Sequence, residues 1–206
     1  MPWPDPVTLQ DDHVALVPLT PAHAADLVAA VQDGDLWKLW YTAIPAPEKM
    51  AAEITRRLGL QQQGSMLPFA VIDAASGRAV GMTTYMNIDA ANRRVEIGST
   101  WYRKSVQRSS LNSRAKLLLL EHAFERLGCI AVEFRTHFFN RQSRQAIERL
   151  GARLDGILRN HQVAGNGTLR DTCVYSILPG EWPAVKAHLR FRIDNPPAGK
   201  MADRPA

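Results

Sequence analysis

Apolar and polar positions repeat with two different periods along this chain, and the switches between them lay out alternating strands and helices. Residues 13–19, HVALVPL, alternate and read as a first strand. Thr20-Pro21 then stands in the order of an N-cap and a first helical position. That helix runs to Val31, where Asp33-Gly34-Asp35 breaks it. Residues 36–41, LWKLWY, read either as a turn lining a pocket or as a flap over the core. A second helix covers 48–63, with Met50, Ile54, Leu58 and Leu60 inward. Residues 67–72 and 79–88 form an antiparallel hairpin turned at 73–77. A turn over 87–92 leads into a strand over 94–102, rich in Val, Ile, Thr, Trp and Tyr.

The next stretch organises the rest. After the 94–102 strand comes a polar loop, 103–110, and then a long helix that Ser109 or Ser110 can cap. Its apolar positions, Leu111, Ala115, Leu118, Leu119, His122, Ala123 and Leu127, fall at helical intervals, and Gly128 ends it. A strand over 131–138 follows. Asn140 caps a short helix that Gly151 ends, and strands over 152–162 and 170–178 turn at 164–167. A last helix covers 180–192. Residues 1–12, with Pro2, Pro4 and Pro6, read as an irregular arm, and 194–206 as a flexible tail. A three-strand meander precedes a helical crossover to a fourth strand. One sheet therefore mixes antiparallel and parallel pairing under a cover of helices, in a single domain over 1–206 with its core at 13–189.

The 206 residues are 46% hydrophobic and 22% charged, the profile of an ordinary globular chain. The net charge of +5 is dispersed, which argues against a nucleic-acid footprint. No run of about 18 apolar residues occurs and no apolar leader precedes a cleavage site, so a cytoplasmic location is expected. Cys129 and Cys173 have neither CxxC nor metal-ligand spacing and read as buried free thiols, with no metal site. One local bias matters more. Between residues 99 and 120 stand Arg103, Lys104, Arg108, Arg114 and Lys116, with no Asp or Glu. A helix start offers free N–H groups and a positive dipole end, so basic side chains around it suit a phosphate. The plainer alternative is a solvated basic helix end.

The segments WYRKSVQRSSLNSRAKLLLLEHAFERLG, EFRTHFFNRQSRQAIERLGA and RDTCVYSIL, in this order of elements, resemble the GNAT family of acetyl-CoA-dependent N-acetyltransferases. The RimJ/RimL-like branch, which acetylates protein N-termini or small amines, looks closest. The resemblance covers roughly residues 13–189. It implies an α/β (α+β) fold with a six- to seven-stranded mixed sheet covered by helices on both faces. It also implies acetyl-CoA as cofactor, a primary amine as acceptor, and direct attack in a ternary complex. The family's phosphate-loop signature falls on Gln107, Ser110 and Asn112. Gln107 fits, whereas Ser110 and Asn112 stand where the family has small residues. Glycine there lets the backbone approach a pyrophosphate, and serine adds a Cβ and a hydroxyl. An acyl-CoA-binding relative without turnover is the alternative that this departure raises.

Carried over residue by residue, the resemblance implies a cofactor site at Thr100, Trp101 and Tyr102, along Gln107, Arg108, Ser109, Ser110, Leu111, Asn112 and Ser113, and at Asn140 and Ser143. The Ser143 hydroxyl would also protonate the departing thiolate. Asn140 and Ser143 equally suit a capping turn. For the base, Glu96 lies on the strand leading to the loop, and alternation puts it with Gly98 on one face, opposite Val95 and Ile97. An ion pair with Arg93, Arg94 or Arg135 is its structural alternative. His161, on a late strand, stands near where RimL-like relatives carry a base, with an exposed polar strand residue as the alternative; His137, near the end of the strand before Asn140, is the third candidate, and its plainer reading is a surface or structural residue. Trp37, Trp40 and Tyr41 would shape the acceptor pocket. Many relatives dimerise, so a homodimer is expected, and no nucleic-acid or membrane partner is.

Overall fold

The computed structural model describes residues 3–195, so most of the expected tail lies outside the described residues. Eight strands form one sheet in the order β1-β2-β3-β4-β5-β6-β8-β7. They are β1 Leu9–Gln10, β2 Val14–Pro18, β3 Met66–Asp73, β4 Arg78–Asp89, β5 Arg94–Tyr102, β6 Ala131–His137, β7 Arg153–Val163 and β8 Leu169–Ile177. All neighbours pair antiparallel except β5 and β6, which are parallel. The helices are α1 Ala24–Gln32, α2 Met50–Gln62, α3 Leu111–Glu121, α4 Arg141–Glu148 and α5 Trp182–Asp194.

The count of eight exceeds the expected six to seven because part of the proline-rich arm joins the sheet. Leu9 and Gln10 pair with Leu16 and Ala15. The Asp11 carboxylate closes the turn between them by accepting from the amides of His13 and Val14 at 2.8 and 2.9 Å. Two residues are too few to show alternation, so the pattern of the arm does not reveal a strand.

Strand alternation sorts the core onto both faces of the sheet. One cluster joins Val95, Ile97, Phe134, Tyr175 and their neighbours to Leu111, Ala115 and Leu119 of α3, Ile147 of α4 and Val185 and Leu189 of α5. The other joins Ala70, Met82 and Trp101 to Leu27 and Val31 of α1 and Met50 and Ile54 of α2. The inward stripe of α3 is rotated from the expected one: Lys116 and Leu120 are buried, and Leu118 is only half-buried. The helix then widens into one π turn, His122–Arg126, where the Tyr85 hydroxyl donates to the Leu119 carbonyl at 2.5 Å.

A buried cation holds α2 to the sheet. Arg57 is 2% exposed, pairs with Glu53 at 2.7 Å and donates to Thr84 Oγ1 at 2.7 Å. Removing one partner of such a pair leaves the rest desolvated and unsatisfied. Arg57→Ala is expected to lower unfolding stability by about 3 kcal/mol, read from the midpoint of urea denaturation. A loss within ~0.5 kcal/mol, the ordinary range of surface substitutions, would show the pair to be dispensable.

Candidate active site

The sheet opens between β5 and β6. Their pairing runs only through Arg94↔Ala131, Val95↔Val132 and Glu96↔Glu133, yet β5 continues to Tyr102 and β6 to His137. Residues 97–102 therefore present a backbone edge to no neighbouring strand on that side. A β-bulge lies on the same stretch: Met82 faces Trp101 and Thr84 faces Gly98, which leaves Ser99 and Thr100 opposite Thr83. Ser99 takes φ +48°, the left-handed conformation that re-aims a bulged strand. The expected edge at Thr100, Trp101 and Tyr102 is thus an open one, formed by bulge and splay.

The bulge is tied from below by α3. Lys116 Nζ donates to Thr100 Oγ1 at 2.9 Å and reaches Thr83 Oγ1 at 3.4 Å, and the two threonine hydroxyls lie 2.8 Å apart. Among the described residues Lys116 has no carboxylate within ion-pair distance, and burial pulls its pKa down to about 7. Sequence reading counted this lysine with the basic loop. Its single signal was its place three residues before Leu119, on the buried side of the helix.

At the top of the opening the chain turns into α3. Gln107 Nε2 donates to the Tyr102 carbonyl at 2.8 Å, so this side chain braces the loop. Ser109 Oγ donates to the Val106 carbonyl at 2.7 Å and accepts from Leu111 N at 3.3 Å. Arg103 is held by Asp33 at 2.9 Å and Arg114 by Asp11 at 3.0 Å. Lys104 and Arg108 are exposed and make no ion pair among the described residues. The test of fit concerns Ser110. It sits at the N-cap with φ −70°, so a side chain there is unstrained, and its Oγ accepts from Arg114 Nε at 3.3 Å. The left-handed residue of the loop is Arg108, at φ +66°. The conformation at position 110 thus does not demand glycine, and the helix start with Asn112 and Ser113 in its first turn fits a diphosphate.

The far wall is the start of α4. Asn140 Oδ1 accepts from Ser143 N at 3.1 Å, which is the capping role open to both residues; the Ser143 hydroxyl is half-buried.

Glu96 lies on the sheet face shared with α1 and α2, opposite Val95 and Ile97. It is 4% exposed, accepts from Asn87 Nδ2 at 2.7 Å and lies 3.5 Å from Arg135 Nε. Burial pushes its pKa up, and the Asn87 hydrogen bond and the Arg135 charge offset part of that. The base candidate and the ion-pair alternative are thus both present, with Arg135 as partner. Arg135 itself spends most of its fork on Glu133, which also takes Arg94.

His161 is farther out. It is exposed on β7, the edge strand beyond β8, with Nδ1 at 3.1 Å from Thr172 Oγ1. His137, on β6 beside the opening, is the more sheltered histidine at 3% exposure. Its Nδ1 accepts from Phe139 N at 3.1 Å, and its buried Nε2 has no hydrogen-bond partner among the described residues. The three aromatics of the 36–41 stretch divide. Trp37 packs on the α1–α2 core. Trp40 and Tyr41 cover His137, with ring centroids at 5.1 and 6.5 Å. The stretch is therefore core cover at one end and a cover over His137 at the other. A cleft of about 460 Å³ adjoins it, lined by His137, Phe139, Ile157 and Leu169 among others.

Residues 13–153 match the family described as the acetyltransferase (GNAT) domain, more than half of the chain. The chain belongs to the GNAT acetyltransferase family. A GCN5-related N-acetyltransferase from Brucella melitensis superposes with a TM-score of 0.82 at 32% identity, covering 92% of this chain and 86% of that one. Mycobacterium smegmatis RimJ, in complex with CoA-disulfide, superposes with a TM-score of 0.75 at 22% identity, covering 93% and 96%, and shows the shared GNAT fold. The "Putative ribosomal N-acetyltransferase YdaF" of Bacillus subtilis (strain 168) is 33% identical over 110 residues. That match spans 53% of this chain and 59% of YdaF. Among the described residues no helix is long and apolar enough to cross a membrane.

Proposed function

We propose that this GNAT protein is an acetyl-CoA-dependent N-acetyltransferase in which a primary amine attacks directly within a ternary complex. The observation that carries the reading is the opening between parallel β5 and β6, which leads to a helix start with two uncommitted cations, Lys104 and Arg108. The loop amides and side chains from Gln107 to Ser113 would hold the diphosphate, and the free edge of β5 with Asn140 would hold the pantetheine arm. When bound, acetyl-CoA supplies the thioester carbonyl that the amine attacks. The chain's own part is to position and to move protons. The Glu96 carboxylate takes the amine proton, directly or through water, and its burial raises its proton affinity toward that task. The backbone N–H groups around Thr100 to Tyr102 donate to the oxygen that becomes negative. Ser143 Oγ donates to the departing sulfur. Trp40 and Tyr41 wall the acceptor side. The name of the YdaF relative, "Putative ribosomal N-acetyltransferase", favours a ribosomal acceptor over a small amine. A cytoplasmic location and a homodimer belong to the same reading.

A thermal-shift titration with coenzyme A, followed by thiol release from acetyl-CoA, tests it. The amines to compare are short peptides, free amino acids, a polyamine and an aminoglycoside. Stabilisation that grows with coenzyme A, together with thiol release on at least one amine, is expected. Stabilisation with no release on any amine would leave a carrier-binding protein without turnover. Ser143→Ala should lower kcat by about tenfold or more while leaving coenzyme A affinity within about twofold. An affinity loss with unchanged kcat would make Ser143 a binding residue only.

A further inference from the structure

Among the described residues, one partly covered arginine on the acceptor face has no carboxylate within ion-pair distance, and Glu96 acts on it only from farther away. Arg57, Arg94, Arg103, Arg114 and Arg135 are each at least partly covered, and each holds a carboxylate within 4 Å. Arg170 of β8 is also partly covered, yet among the described residues its one hydrogen bond is from Nε to Thr172 Oγ1 at 3.1 Å, and it makes no ion pair. Alternation puts Arg170 and Thr172 on the face opposite Cys173 and Tyr175, which point into the α3 side of the core. Thr172 stands opposite His137 on β6, and Arg135 and Glu96 share that face. Arg170 is close enough to Glu96 and His137 to act on both electrostatically. Glu96 is already engaged by Asn87 and Arg135, and Asp171 by Arg159 and Asn160.

A buried donor without a partner among the described residues lies on the same face. A backbone N–H can only donate, so the Phe139 amide fixes His137 Nδ1 as the acceptor and puts the proton of the neutral ring on Nε2. That Nε2–H is buried and has no partner among the described residues. Burial and the Arg170 charge keep the ring neutral by lowering its pKa. Buried donors are normally satisfied, and an orphan asks for an explanation. Here a cation and a neutral donor lie on one face of the sheet; the Thr172 hydroxyl takes Arg170 Nε, and among the described residues no carboxylate is bonded to either group. The shared missing element is an anion with oxygen acceptors.

We propose that the acceptor carries a carboxylate near its reacting amine, and that Arg170, with His137 Nε2–H, receives it. The assignment rests on the acetyl-transfer reading and narrows its substrate class. Trp40, 50% exposed, lies over the His137 ring and would flank the bound group. The carboxylate has two sources: the α-carboxylate of a free amino acid, or an acidic side chain next to the N-terminus of a polypeptide.

Two pairs of acceptors separate these sources while testing the claim. They are alanine against alaninamide, and an Ala-Asp peptide against the same peptide with Ala-Asn, each assayed by thiol release with wild type and Arg170→Gln. The wild type is expected to favour the carboxylate member of one pair by about tenfold or more in kcat/KM, the scale of a charge-assisted hydrogen bond. Which pair shows the preference names the source. In Arg170→Gln the preference should collapse toward unity because the loss falls mainly on the carboxylate acceptor, with coenzyme A affinity held within about twofold. No preference in either pair, a preference that survives the substitution, or equal losses on both members would overturn the proposal. If coenzyme A binds but no amine turns over, acetyl transfer fails separately. Calorimetric binding of the Ala-Asp and Ala-Asn peptides then decides: tighter Ala-Asp binding that Arg170→Gln removes supports the anion site, and equal binding refutes it.

Discussion

Ser110→Glu should abolish coenzyme A binding while leaving the fold intact. Position 110 is the N-cap of α3, in an unstrained conformation, with Arg114 Nε 3.3 Å from its hydroxyl. A carboxylate at a helix start is favoured by the dipole, so the apo protein should melt within a degree or two of the wild type. The same carboxylate would stand against a diphosphate. Two like charges about 4 Å apart near a protein surface repel by roughly 4 kcal/mol before salt screening. A loss of about 100-fold or more in affinity is therefore expected, and the thermal shift with coenzyme A should vanish over the wild-type titration range. Ser110→Gly, which restores the family's small residue, should bind at least as tightly as wild type. Unchanged affinity in Ser110→Glu would remove the diphosphate from this helix start and with it the cofactor placement.

Glu96→Gln should lower kcat/KM by about 100-fold or more, the contribution expected of a positioned general base. Its pH profile should change shape as well. Burial raises the pKa of Glu96 above the ordinary carboxylate value, so wild-type activity should fall as pH drops through that raised value. The Gln variant should lack this acid limb. The sign for stability runs the other way. A carboxylate whose folded pKa is raised contributes stability that is fully present below its unfolded pKa and is lost as pH rises through the folded one. Gln does not ionise, and its amide oxygen can still accept from Asn87, so the variant should be no less stable than wild type at pH 7. Slow turnover with unimpaired folding would separate catalysis from structure. Should the rate and the acid limb persist in Glu96→Gln and disappear in His161→Gln, the base would be His161.

The tie between Lys116 and Thr100 bears on both experiments, because it fixes the bulge that carries the open edge of β5. Neither experiment disturbs it. Ser110 contacts Arg114, and Glu96 faces away from α3.

Most of the fold was legible because burial imposes a period on sequence. Residues 13–19, 67–72, 79–88, 94–102 and 131–138 alternate or run apolar and became β2 to β6, and Asn140 with Gly151 bracketed α4 as capping chemistry requires. The misreadings fell where period carries no information. The strand β1 is two residues long, and the inward stripe of α3 includes Lys116, a residue whose type ordinarily marks a helix as solvent-facing. Glu96 was legible as a candidate, since strand parity put it opposite Val95 and Ile97, but its burial and its partners Asn87 and Arg135 were not.

By itself the sequence determined the order of strands and helices, the parity of each strand, and the basic, acid-free turn into α3, because these are local properties of adjacent residues. Only the tertiary structure decided that β5 and β6 part after three pairs, that Trp40 and Tyr41 lie on His137 while Trp37 does not, and that Arg170 faces Glu96 without a carboxylate of its own. Those are relations between segments far apart in the chain, set by sheet order and by how far each strand outruns its neighbour, and no local pattern of residue types encodes them.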